Sequence, residues 1–209
     1  MKRIVRLLNM ALLLLATGNS QADIILSFDP VAQDVTLGSP VDVALKISGL
    51  GSATPPSLST FDLNISFDPG LLSFTSAAFG DPKLGDQLDV HGLGGNLISS
   101  GISSPGVLNV FELSLDSLGD LDTLQAASFT LATLTFNTVG IGSSALGITI
   151  NSLGDANGAA LASVTQNGSV TVSAVPLPAA WLLFASGMLV LVCPAWAKTC
   201  NLKRGCRKE

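Results

Sequence analysis

Tyrosine is absent from the 209-residue chain, and its two tryptophans and three cysteines all fall after residue 180. The stretch 23–174 therefore has phenylalanine as its only aromatic residue and carries no thiol. The first absence removes the indole and phenol rings that sugar-binding faces use as stacking platforms. The second excludes a disulfide framework, so packing alone must hold the fold even in an oxidising compartment. Positive charge is equally scarce. Against fourteen acids (Asp23, Asp29, Asp34, Asp42, Asp62, Asp68, Asp81, Asp86, Asp89, Glu112, Asp116, Asp120, Asp122 and Asp155) stand only Lys46 and Lys83, a net charge of about −12. Such a surface repels phosphate backbones and anionic head groups, which argues against a nucleic-acid partner.

Catalytic chemistry finds little to work with. The single histidine, His91, lies two residues after Asp89, without a nucleophile-elbow motif or a domain cysteine beside it. It reads as a surface-loop histidine rather than a member of a Ser-His-Asp triad. The lone domain glutamate, Glu112, and the scattered aspartates read as solvated faces and turn caps rather than paired glycosidase carboxylates, so the expectation is a non-enzyme. Asp116, Asp120 and Asp122 in one loop, and Asp155 with Asn157 in another, offer hard oxygens. Their spacing matches no EF-hand, and turn chemistry is the ordinary role of these residues. Ca2+ is the one cofactor they leave open; no metal residue is assigned.

Both ends of the chain carry targeting signals. Lys2, Arg3 and Arg6 precede the apolar run 7–16, too short for a stable span, and Ser20 and Ala22 supply small residues for a signal peptidase. A signal peptide over 1–22, cleaved between Ala22 and Asp23, is expected. Residues 179–197 carry no charge. As a helix at 1.5 Å per residue they reach about 28 Å, enough for a bilayer core. Trp181 and Trp196 lie near the two ends of that run, and Lys198, Lys203, Arg204, Arg207 and Lys208 follow. Interfacial indoles and a basic end kept in the cytoplasm describe one transmembrane helix with the main domain facing outward.

Between the ends, residues 23–174 are enough for one domain. Strict alternation places Val41, Val43, Leu45 and Ile47 on one face of a strand, and Phe61, Leu63, Ile65 and Phe67 on another. Asp68, Pro69 and Gly70 then turn the chain into the short apolar run 71–74. Further strands are expected at 24–28, 108–115, 129–137, 146–150 and 169–173. The apolar phase slips between Leu131 and Leu134, which predicts a bulge near Ala132 and Thr133. No stretch holds a helical period, so the fold expected is all-β, a two-sheet β-sandwich or jelly roll of the kind that carbohydrate-binding modules also use. Residues 51–59 and 92–106 read as surface loops.

Four stretches of this domain resemble the cohesin family of β-sandwich modules. STFDLNISFDPGLLSF at 59–74 is similar to the family's strand-turn-strand signature, and LATLTF at 131–136 to a second family stretch. DANG at 155–158 and NGSVTV at 167–172 resemble its last loop and strand. The tail has its own likeness: Val175, Pro176, Leu177, Pro178 and Ala179 open a segment similar to the proline-containing form of the PEP-CTERM sorting signal, completed by the span 179–197 and the basic end 198–209. Two prolines forbid a regular helix across that motif and leave an extended segment that a protease can grip.

The resemblances imply processing by a signal peptidase and by a membrane exosortase in a Gram-negative bacterium. The domain would be held outside the inner membrane until the 175–209 tail is processed, then placed at the cell surface or released. A structural or adhesive role in the surface matrix is the first expectation. The alternative is a cohesin-type module that grips a dockerin-like protein, or a polysaccharide, with one sheet face. An exposed sheet face with a contiguous apolar patch favours binding, and a flat polar one favours the structural role.

Overall fold

The computed structural model describes residues 23–175. Residues 1–22, the motif from Pro176 onward, the span 179–197 and the basic end lie outside the described residues. Among those described, no helix is long and apolar enough to cross a membrane.

Alternation builds two sheets. The first contains β1 (Ile24–Asp29), β3 (Pro40–Ser48), β5 (Leu72–Phe79), β8 (Ser128–Thr138) and β10 (Ser163–Gln166), in the order β10-β1-β3-β8-β5. The second contains β2 (Ala32–Thr36), β4 (Leu58–Ser66), β6 (Leu97–Ser104), β7 (Val107–Leu113), β9 (Gly142–Asp155) and β11 (Gly168–Ser173), in the order β2-β11-β9-β4-β7-β6. Leu26, Val43, Leu45 and Ile47 from one sheet and Leu63, Ile65, Leu108 and Val110 from the other are buried in a shared core. Each such side chain contributes about 1.5–3 kcal/mol on burial. Phe136 anchors that core, meeting Phe67 edge-on at 5.1 Å and Phe74 at 5.9 Å between ring centroids.

Both termini of the domain change sheets together. β1 pairs parallel with β10, and, after the chain crosses at Pro30 and Val31, β2 pairs parallel with β11. The crossing brings Gly168 so close that a Cβ there would lie 2.9 Å from the Val31 carbonyl oxygen and 3.0 Å from the Phe28 ring. Asp68, Pro69 and Gly70 make the expected turn, the Asp68 carboxylate accepting the Gly70 N–H at 2.8 Å.

The observed bulge sits one residue earlier than expected. Leu45 faces Ala132 and Lys46 faces Thr130, leaving Leu131 as the extra residue. Three strands, β2, β6 and β10, and one helix, α1 (Leu118–Leu124), were not expected from the sequence. β6 corrects the reading of 92–106 as loop throughout. α1 is capped by Ser117, whose side chain accepts the Asp120 N–H at 3.2 Å, and it buries only Leu121.

Candidate functional site

The outward face of the six-stranded sheet follows from register. On β4, the residues alternating with buried Phe61, Leu63 and Ile65 are Thr60, Asp62, Asn64 and Ser66. β7 adds Val107, Asn109, Phe111 and Leu113, all half-buried, and β9 adds Thr149 and Asn151. Asp62 is fixed at the centre: its Oδ1 accepts Asn109 Nδ2 at 2.6 Å and Asn151 Nδ2 at 3.0 Å. Asn109 also donates to Asn64 Oδ1 at 3.0 Å, and Asn64 donates to Asn151 Oδ1 at 3.1 Å. A closed ring of four side chains thus spans three strands, with its amides already oriented.

Beside the ring the face turns apolar. Leu97 of β6 pairs with Leu113, and Ser99 with Phe111, on this same outward side. Leu97 is 53% exposed, and Leu93 and Leu115, adjoining the same strand ends in sequence, are 81% and 64% exposed. Neither lysine of the domain lies on these strands: Lys46 belongs to β3, ion-paired with Asp29 at 3.0 Å, and Lys83 lies in the 81–85 turn. The face is therefore polar and anionic at its centre, with an apolar corner.

Glu112 corrects the expectation of a solvated glutamate. It alternates with Leu108 and Val110 on the inward side of β7 and is fully buried. Asn96 Nδ2 forks between Glu112 Oε1 and Asp86 Oδ2. Glu112 Oε2 is buried with no donor. Burial, followed by the charge of Asp86 beside it and that of Asp89, pushes the carboxyl up to about 8. The loop carrying Asp86 is knit in place: Leu88 N–H donates to Asp86 Oδ1, Leu93 and Gly94 N–H to Asp89, and Val90 N–H to Asp116 Oδ2. Its base is held by Asp81. Burial alone would raise that carboxyl, but backbone N–H groups of Lys83, Thr130 and Leu84 together hold it down at about 2.

His91 meets Asp120, not Asp89. Its Nε2 lies 3.4 Å from Asp120 Oδ2, which also accepts Ser117 Oγ–H at 2.6 Å. Ser117 first and His91 second hold the Asp120 carboxyl below its ordinary range. The order Ser-Asp-His puts the carboxylate in the middle, where it cannot let the imidazole take a serine proton. The loop aspartates considered for calcium face separate partners: Asp116 the Val90 N–H, Asp122 the Ser57 hydroxyl, and Asp155 the N–H groups of Asn157 and Ala159. Among the described residues no group of three or more His, Cys, Asp or Glu is arranged to hold a metal ion. Of the targeting residues, Asp23 and Val175 are described, both exposed; Ala22, Pro176, Leu177, Pro178 and Ala179 lie outside the described residues.

No protein-family model matches the chain, and no curated protein matches it. Solved structures do, and they are cohesin modules. The sixth cohesin of scaffoldin B from Acetivibrio cellulolyticus, solved in complex with a dockerin, is 22% identical, with a TM-score of 0.56 over 73% of this chain and 100% of that one. A type I cohesin in complex with a dockerin from Clostridium thermocellum is 13% identical, with a TM-score of 0.57 over 73% and 100%. A non-cellulosomal cohesin from the archaeon Archaeoglobus fulgidus is 18% identical, with a TM-score of 0.53 over 73% and 92%. At these identities the likeness is one of fold: residues 23–175 form a two-sheet, all-β sandwich of the cohesin kind.

Proposed function

We propose that this domain is a protein-docking module that binds a dockerin-like partner through the outward face of its six-stranded sheet, on a chain exported from the cytoplasm and sorted through its tail. The observation that carries the reading is the ring of Asp62, Asn64, Asn109 and Asn151 beside the apolar corner of Leu97, Phe111 and Leu113. Side chains already ordered by one another lose less entropy on binding. A buried apolar anchor beside a polar, orienting patch is the usual anatomy of a specific interface. An anionic centre without a lysine on its own strands suits a partner that presents Lys or Arg. Two of the similar cohesins were solved in complex with dockerins, which supports a dockerin-like partner over a polysaccharide. A face of fixed amides and apolar side chains binds rather than reacts.

Titration calorimetry of the full chain against a panel of dockerin modules tests this. Binding is expected, and Asp62→Lys and Phe111→Asp should each weaken it tenfold or more, while Lys46→Glu on the other sheet leaves it unchanged. No binding to any dockerin module, with an exopolysaccharide bound equally by parent and Asp62→Lys, would return the domain to a matrix role.

A further inference from the structure

We propose that Glu112, Asn96 and Asp86 form a proton-held latch that shuts the 85–96 loop against β7, closed by one proton shared between the two carboxyls and loosened as that proton is lost. The geometry calls for the proton. Two ionised carboxylates offer only acceptors, and Asn96 has spent its amide on Glu112 Oε1 and Asp86 Oδ2. That leaves Glu112 Oε2 buried without a donor, which a carboxylate in an apolar interior does not tolerate. A proton on Oε2 turns the orphan acceptor into a donor, and the neighbouring Asp86 carboxylate is the side chain with which Glu112 can share it.

Among the described residues, nothing else nearby can neutralise the pair. The charged groups facing Glu112 are Asp86 and Asp89, both of the loop and both of the same sign. The strands on either side set apolar residues beside it, Phe61 of β4 and Ile98 of β6. Asp116, further along from β7, is occupied by the Val90 N–H. Asn96 immediately precedes β6, so the latch also pins the start of an edge strand that has β7 as its single neighbour.

The sign follows from linkage. Burial beside Asp86 pushes the folded carboxyl up to about 8 from an ordinary 4.5, so closing the loop takes up a proton between those values. The closed form is favoured in full below about pH 4.5, loses ground at about tenfold per pH unit up to about pH 8, and changes no further above that. The latch is a property of the domain itself, with or without a partner on the outward face.

Hydrogen exchange of the full chain, corrected for intrinsic rates and read at the amides of residues 86–94 from pH 5 to 9.5, tests it. The loop's opening constant should climb roughly tenfold per unit to about pH 8 and then level off, while β3 and β8 amides stay protected. Glu112→Gln places an amide donor where the proton was, and its opening constant should be flat with pH. Asp86→Asn removes the nearby like charge, and its plateau should begin at lower pH. A flat parent profile, or a Glu112→Gln profile that follows the parent's, overturns the latch. So does recovery of loop protection at pH 9 on adding Ca2+ alone, which would make the carboxyls a cation site.

Discussion

At the scale of single residues, the buried polar groups carry more consequence than their number suggests. Gln125, at the end of α1, copies a strand neighbour with its side-chain amide: Oε1 accepts the Leu58 N–H at 2.6 Å, and Nε2 donates to the carbonyls of Leu58 and Gln87 at 2.8 Å each. Gln87 answers by accepting the Ala126 N–H through Oε1 at 2.8 Å. Both glutamines are buried. Gln125→Leu keeps the volume and strands three backbone groups, the N–H and carbonyl of Leu58 at the start of β4 and the carbonyl of Gln87, a cost of about 2–4 kcal/mol. Chemical denaturation should show the midpoint falling with the slope unchanged; a loss under about 0.5 kcal/mol would mean that water replaces the amide. Neither glutamine was legible in the sequence. Glutamine has no positional signature there, and its role exists only because residues 38 and 67 positions apart in the chain meet.

At the scale of elements, what the sequence revealed and what it hid divide along burial. β3 and β4 were plain because one side of each packs into the core, so Val41 to Ile47 and Phe61 to Phe67 alternate without exception. β2, β6 and β10 are edge strands with no fully buried residue, so no apolar alternation marks them in the sequence. β6 is exposed along its whole length, with serine at half of its eight positions. α1, at seven residues with one buried side chain, is too short to show a helical period. Glu112 misled for the same reason in reverse: it occupies an inward position of a well-alternating strand, and charge outweighed phase in the reading. The face of Asp62 was legible only as polar positions; the ring depends on the β4–β7 and β4–β9 registers, which no local signal sets. β6 also yields a prediction. Gly101 lies mid-strand with no atom within 4 Å of a Cβ placed there and without the left-handed backbone that would demand glycine. Gly101→Thr should therefore stabilise the domain by about 0.5–1 kcal/mol, through β propensity and a less flexible unfolded chain. A thermal midpoint that falls instead would show that the edge needs glycine's freedom.

For the whole molecule, the question is whether the domain depends on the tail that the proposed sorting would remove. The last strand, β11, lies inside its sheet, paired antiparallel with β9 and parallel with β2. Its final residue is held too: Ser173 pairs with Thr36, and its carbonyl accepts the Leu37 N–H at 2.9 Å. Pairing stops there; Ala174 and Val175 are exposed and belong to no strand. A cut anywhere from Val175 to Ala179 thus removes no strand pairing among the described residues, and with no cysteine before residue 193 no disulfide is severed. In an exopolysaccharide-producing host with an exosortase, the chain should lose its tail and leave the inner membrane, and the processed form should melt within about 1 °C of the unprocessed one, since every strand pairing up to Ser173 is kept. Pro176→Ala with Pro178→Ala lets the motif enter a helix that a protease cannot grip, so that chain should keep its full mass and stay with the membrane fraction. If the parent also stays intact and membrane-bound, the domain works as an anchored binding module. A processed form that melts well below its precursor would instead mean that residues past Ser173 contribute to the fold.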